Sequence, residues 1–521
     1  MRKRLAYLLS LIFCLASCSL EPVLTSSYPE TVAWASEENV WLYINRFYPL
    51  LGSGYYESSV RYDCYSDILK MNNPTANENL VLYGSNEITP QSETLGYWSS
   101  GHSWAIQCCR FLDQMRKYGS GLSDEFRLSA EAQIRFFRAH VYFEMAKRYG
   151  ASVIIYKELP PVGVRDRARC EPAECWDFIA SDLDFAADNL PATAAAGRLT
   201  KGAAFALKAR AMLYAKRWKV ASDACHKVDS LGLYDLEPEY GDLFLKRRSS
   251  GVSVESIAEF GFVYPELAYS FDRLYCPPGE GGAAYASPTD DLVSAYQMAD
   301  GSDFSWDDPV KAADPYAGRE KRFYASILYH GCTWKDRTMN MASGPDATAV
   351  GGGTTSTGYY MRKLMDPDQK YGKFTDSDLT YYYMRYAEVL LIAAEALAEQ
   401  NRLDEALGCL NRVRRRAGFT TDLSTSSKTV FMEWLRHERM VELAFEGHRF
   451  WDVRRWGLGQ KCFNNVRRKG VMPVETTGSV TYTVINADTK PMKYPSKYDR
   501  LPIPSSEVQR NALMKQFEEW I

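Results

Sequence analysis

The fold is decided by the stretch YAEVLLIAAEALAEQNRLDEALGCLNRVRRRA, residues 386–417. Apolar residues recur through it at helical spacing, and Asn401-Arg402-Leu403-Asp404 breaks the pattern where a turn and a second helix would begin. An earlier stretch, Leu199 to Leu231, repeats the arrangement. Ala209 is followed at fixed offsets by Ala221, Cys225 and Val228, and Ala394 is followed at the same offsets by Ala406, Leu410 and Val413. Small residues at these positions let two antiparallel helices approach closely, and the larger ones fill the groove between them, as in a tetratricopeptide repeat. Such units bury their faces only against neighbours, so two clear copies predict further, more divergent ones.

Outward from these copies, Glu125 to Tyr149 predicts a long helix with Phe136, Phe137, Val141, Phe143 and Met145 on its apolar positions and Gly150 closing it. Trp176 to Leu190 predicts another, stopped by Pro191. Between roughly residues 235 and 380 the helical period gives way to Gly, Pro and Asp clusters with short aromatic runs, among them Phe323-Tyr324, Tyr329 and Trp334. This reads as a loop-rich lobe inserted into a helical scaffold, the kind of segment on which specificity is carried.

The first residues read as an export signal: Arg2, Lys3 and Arg4 precede an apolar run from Leu5 to Leu15 that is too short to span a bilayer. The run closes on Leu15-Ala16-Ser17-Cys18, which resembles a bacterial lipobox, with cleavage after residue 17 and a diacylglycerol on the Cys18 thiol. Residues 18–37 then read as a lipidated tether and 38–521 as the folded body, held on a membrane through lipid rather than spanning it. The net charge of -3 offers no footprint for nucleic acid. Aromatic content reaches 13%, with 35 Tyr, which predicts many rings at or near the surface. Of twelve cysteines, ten remain once Cys14 leaves with the signal and Cys18 carries lipid. They show no metal-ligand spacing; Cys170 and Cys175 are the first candidates for a disulfide, and buried free thiols are the competing reading.

ERMVELAFEGHRFWDVRRW, residues 438–456, resembles the signature of the SusD/RagB outer-membrane lipoproteins almost without departure. Arg135-Phe136-Phe137-Arg138-Ala139 through Arg148-Tyr149-Gly150, Gly197-Arg198-Leu199-Thr200-Lys201, Gly358-Tyr359-Tyr360, Arg385-Tyr386-Ala387-Glu388, and Pro502-Ile503-Pro504 with Glu507 and Asn511 extend the resemblance in order along nearly the whole mature chain. Physically the signature reads as a packing device. Glu442 and Phe445, and Glu446 and Arg449, lie three apart on an expected helix, with charges pairing along one face and Leu443, Phe450 and Trp451 buried on another. The resemblance implies a mainly α fold of four tetratricopeptide-like helix pairs with a variable lobe. It also implies a role: a surface lipoprotein of the outer membrane that traps oligosaccharide, or in some relatives peptide, and hands it to a SusC-like TonB-dependent transporter.

A glycan site wants exposed Trp or Tyr faces beside polar side chains. Two clusters qualify in sequence: Tyr97 and Trp98 with His102 and Trp104, and, in the lobe, Tyr275, Tyr285, Tyr296, Trp306 and Trp334. Near residue 102 the chain departs from the family, which often places a tyrosine and then an asparagine there.

No catalytic residue is expected. Gly101-His102-Ser103-Trp104-Ala105 lacks the closing glycine of a nucleophile elbow, the Val350–Gly353 run lacks the Lys and Ser/Thr of a phosphate loop, and His437-Glu438 has no second histidine at zincin spacing. No cofactor is expected either, though calcium held by oxygens from separated loops would leave no run to read. A lipid-anchored glycoside hydrolase, its two carboxylates brought together only in space, is the competing class.

Overall fold

The computed structural model describes residues 30–52, 60–92, 94–263, 266–267, 269, 271–369, 374 and 377–521. The residues read as an export signal, Cys18 and most of the segment read as a tether lie outside them. Within the segment read as a tether, Glu30–Ala33 is helical, and the Ser36 side chain caps α1, Glu37–Asn45. Trp34 is buried edge-on against Phe111, ring centroids 5.1 Å apart, and the apolar surface this removes from water outweighs the polar composition of its neighbours.

The long helices that follow are α2, Trp98–Tyr118; α3, Asp124–Tyr149; α4, Pro172–Asn189; α5, Lys201–Tyr214; α6, Trp218–Ser230; α7, Tyr386–Glu399; α8, Leu403–Arg416; α9, Lys428–Glu442; and α10, Arg449–Arg455. From α2 to α8 each packs on the next, and α6 packs on α7 although residues 231–385 intervene. The fold is therefore mainly α, a tetratricopeptide-like stack.

The two sequence copies agree down to the backbone. Ala209, Ala221 and Val228 have no exposed surface, nor have Ala394, Ala406 and Val413. Lys216 and Asn401, each seven residues after the small alanine, both turn through positive φ, at 57° and 62°. The next amide then closes back on the preceding helix, Arg217 N–H to Met212 O and Arg402 N–H to Leu397 O, both at 2.9 Å. An Arg210–Glu388 ion pair, with Nε to Oε1 at 2.7 Å, ties one copy to the other.

The intervening segment departs from α6 and returns through an antiparallel pair, β1, Ser256–Gly261, with β2, Thr380–Arg385, which delivers the chain directly to α7. It builds a second hydrophobic cluster, separate from that of the helices. Tyrosines make up much of this cluster, and their hydroxyls end on buried acceptors: Tyr269 on Leu364 O at 2.6 Å, Tyr382 on Leu243 O at 3.0 Å, Tyr359 on Asp290 Oδ1 at 2.9 Å. The tyrosine excess read as surface aromatics is thus in large part core, because a phenol fills volume like Phe while satisfying a buried polar atom. A hairpin, β3, Lys469–Thr476, with β4, Ser479–Asn486, projects beside this lobe, its turn made by Gly478 at φ 87°.

The signature joins the two cores, and it does so by breaking the expected helix. α9 ends at Glu442, Phe445 and Gly447 take positive φ of 66° and 77°, and α10 begins at Arg449. Leu443, Phe450 and Trp451 enter the helical core as expected, but Val441, Ala444 and Phe445 enter that of the lobe. The charges are not a solvated stripe either, since Glu438 and Glu442 are wholly buried.

Arg385, at the end of β2, reaches Glu255 at 2.7 Å, Glu442 at 2.6 Å and Glu446 at 2.7 Å. Arg416 on α8 pairs with Glu255 at 2.9 Å and with Glu442, and Arg322 of the lobe pairs with Glu320 at 2.6 Å, Glu442 at 3.0 Å and Glu438. Lys363 reaches Glu446 at 2.7 Å and Arg414 reaches Glu438 at 3.2 Å. Five cations thus face five carboxylates across the seam between lobe and scaffold. Burial would raise the Glu446 carboxyl, but the charges of Arg385 and Lys363 outweigh it and hold it down at about 2.

Candidate ligand-binding site

Glycan recognition asks for ring faces that are held rigid yet still open to solvent. In the first sequence cluster Trp98 and His102 do not meet this condition, whereas Tyr97 and Trp104 keep part of their surface open. Trp98 is 3% exposed, edge-on to His102 at 4.7 Å and to Tyr149 at 5.1 Å. His102 is buried with Nδ1 2.8 Å from Trp98 O, and burial pushes its pKa down to about 4, leaving a neutral imidazole inside the core. Trp104 is half-buried against Phe47 at 5.6 Å, and half-buried Tyr97 lies under the Arg148 guanidinium at 5.3 Å. This cluster anchors α2 to α3. Trp98→Ala is accordingly expected to cost about 3–5 kcal/mol of stability in a denaturant titration, whatever it does to binding.

In the second cluster Tyr275 and Tyr296 are 1% and 0% exposed, inside the lobe core, and Trp334 is 3% exposed. Tyr285 is open to solvent and Trp306 half-buried. The structure brings Trp306 together with four rings that the sequence reading did not select as ligand contacts. Tyr482 of β4 stands 6.3 Å from Trp306; buried Tyr316 lies 5.3 Å beyond Tyr482; Tyr329 follows at 4.5 Å, and Tyr324 at 6.3 Å from Tyr329. Trp306, Tyr482, Tyr329 and Tyr324 all retain solvent-facing surface, and Tyr482 and Tyr329 pack against the buried Tyr316 ring. Hydrogen bonds fix the ends of the row, Trp306 Nε1 to Asp290 at 2.9 Å and Tyr324 Oη to Tyr316 O at 2.7 Å.

Tyr324 also lines a cleft of about 440 Å³ with Tyr240, Phe244, Trp334, Arg362 and the Glu239–Lys321 pair, whose charges are 2.9 Å apart. The floor is apolar. Lys363 beneath it is consumed by Tyr240 Oη at 2.9 Å, Ala444 O at 2.7 Å and Glu446. Arg362 is half-buried, 5.7 Å from the Trp334 ring, and makes no ion pair among the described residues. Row and cleft therefore form one continuous surface with stacking faces, an uncommitted guanidinium and a carboxylate–ammonium pair. It can hold a chain of polar rings; among the described residues no group of three His, Cys, Asp or Glu side chains is placed to hold a metal ion.

Tyr324 and Tyr329 were visible in sequence only as an aromatic run. Tyr482 lay in an alternating strand far from the lobe, and only the hairpin's projection brings it over Trp306.

A helical-repeat scaffold carrying an aromatic, loop-built surface on an inserted lobe is a recognition architecture. The SusD family profile matches residues 262–520, and a second profile described as "starch-binding associating with outer membrane" matches 25–213. The chain belongs to the SusD family.

A SusD-like protein of Bacteroides fragilis superposes with a TM-score of 0.82 at 27% identity, covering 93% of this chain and 97% of that one. A SusD-like carbohydrate-binding protein of the same species gives 0.80 at 25% identity, covering 92% and 99%. A SusD-like protein of Bacteroides ovatus is 25% identical over 402 residues, 71% of this chain and 67% of that relative.

Proposed function

We propose that this protein captures an oligosaccharide along the Trp306–Tyr482–Tyr329–Tyr324 row and the adjoining cleft, without cleaving it. It then delivers the ligand to a SusC-like TonB-dependent transporter of the outer membrane. The observation that carries this reading is the row itself: half-open rings, hydrogen-bonded in place against a buried ring, spend apolar surface on solvent unless a ligand covers it. Family membership supports the transporter partner, and the description of the second matching profile supports a glycan ligand at the outer membrane.

The soluble body, incubated with plant, host and microbial glycans, is expected to retain at least one class and to release no shorter product. Turnover abolished by changing one carboxylate would replace capture with hydrolysis, and retention of peptides alone would replace the ligand class. The anchor has its own test. Lipid on Cys18 would hold the protein on the membrane, so Cys18→Ser is expected to move it to the soluble fraction, and its retention with membranes would refute the lipidation.

A further inference from the structure

Helix α4 begins with an unusual pair. Glu171 occupies its N-cap position and Pro172 its first turn, which places Cys170 just before the cap and Cys175 four residues into the helix. These are the two positions at which a hydrophobic staple ordinarily fixes the angle of chain entry. Here both are free thiols that hydrogen-bond to each other, and Cys170 Sγ also donates to Ala151 O at 3.5 Å. Cys175 is wholly buried and Cys170 half-buried. The Cys170 backbone is pinned on both sides, its N–H to Val153 O at 2.9 Å and its carbonyl accepting from Ser152 Oγ at 3.1 Å. The hydrogen bond from Cys175, with burial opposing it, lowers the Cys170 thiol below the usual range and raises that of Cys175.

We propose that Cys170 and Cys175 are a disulfide-forming pair that covalently staples the start of α4, with Cys170 the attacking thiol and Cys175 the resolving one. The oxidant is a disulfide, protein-borne or small. The Cys170 thiolate attacks one of its sulfurs and forms a mixed disulfide, and the released thiolate takes up the first proton. The Cys175 thiolate then attacks the Cys170 sulfur, and the second half of the oxidant leaves with the other proton. The pair loses two electrons and the oxidant gains them. Exposure and pinning set the order: of the two, Cys170 is the one accessible to an oxidant, and Cys175, hydrogen-bonded to it from the first turn of α4, is placed to resolve the mixed disulfide.

Trypsin isolates both residues in one peptide, Cys170–Arg198, since no Lys or Arg lies between its ends. The full chain, taken from cells with thiols alkylated at harvest, is expected to yield this peptide unalkylated and two hydrogens lighter than the dithiol, accepting two alkyl groups only after reduction. A doubly alkylated peptide that persists after the purified chain has been equilibrated with oxidised glutathione would overturn the proposal. Cys175→Ser removes the resolving thiol. Oxidised glutathione is then expected to remain on Cys170 as a mixed disulfide that the parent chain does not accumulate, and failure of Cys170 to take it up would refute the assigned order.

Discussion

Glu442→Ala is expected to lose about 3–5 kcal/mol of unfolding free energy, read from the denaturant midpoint at unchanged slope. The size follows from what the carboxylate holds. Glu442 is wholly buried and pairs with Arg322, Arg385 and Arg416, one from the lobe, one from the strand that returns the chain to α7, and one from α8. Removing it leaves cations facing one another in a dry seam, with only Glu255, Glu320, Glu438 and Glu446 to compensate. The loss is a large fraction of the whole stability of a typical domain, about 5–15 kcal/mol, so poor expression is part of the expectation. Arg402→Ala, which breaks only the exposed pair with Glu405, is expected to leave the midpoint where it was. A Glu442→Ala chain as stable as its parent would show that the network contributes nothing to the seam.

The same residues mark what was legible in sequence. The repeat was readable because helix pairing is local: the alanine at 209 or 394, its partner twelve residues on and the turn between them all act over one hairpin. The signature was readable as packing but not as a seam. Its partners, Arg322, Arg385 and Arg416, come from three separate elements, and helical spacing alone suggested charges pairing along one exposed face. The break at Phe445 leaves no sequence mark, because that residue is not the glycine that positive φ normally calls for.

The site was legible only in kind. Aromatic composition pointed to rings, but whether a ring is core or platform depends on what the lobe folds against it. Tyr275, Tyr296 and Trp334 are covered, while Tyr482, on a hairpin contributed from beyond the signature, is left half-open over Trp306.

The second large effect concerns that row. A sugar laid on a ring buries on the order of 50 Å² of ring face, which at about 25 cal/mol per Å² supplies about 1.3 kcal/mol per ring. Exchanging Trp306 and Tyr482 together for Ala is therefore expected to weaken binding by about 2–3 kcal/mol, roughly 30- to 150-fold in Kd. Tyr482 stands on a projecting strand and Trp306 at the lobe surface, so the fold is expected to survive. Should the double variant unfold, Tyr482→Ala alone carries the test, with about half the energetic effect.

The most direct test titrates a glycan retained in the screen against the parent chain and the double variant, with thermal unfolding of both recorded alongside. Capture at the row predicts the fall in affinity with cooperative unfolding preserved. Equal affinity in two folded chains would place the ligand elsewhere on the molecule and contradict the account.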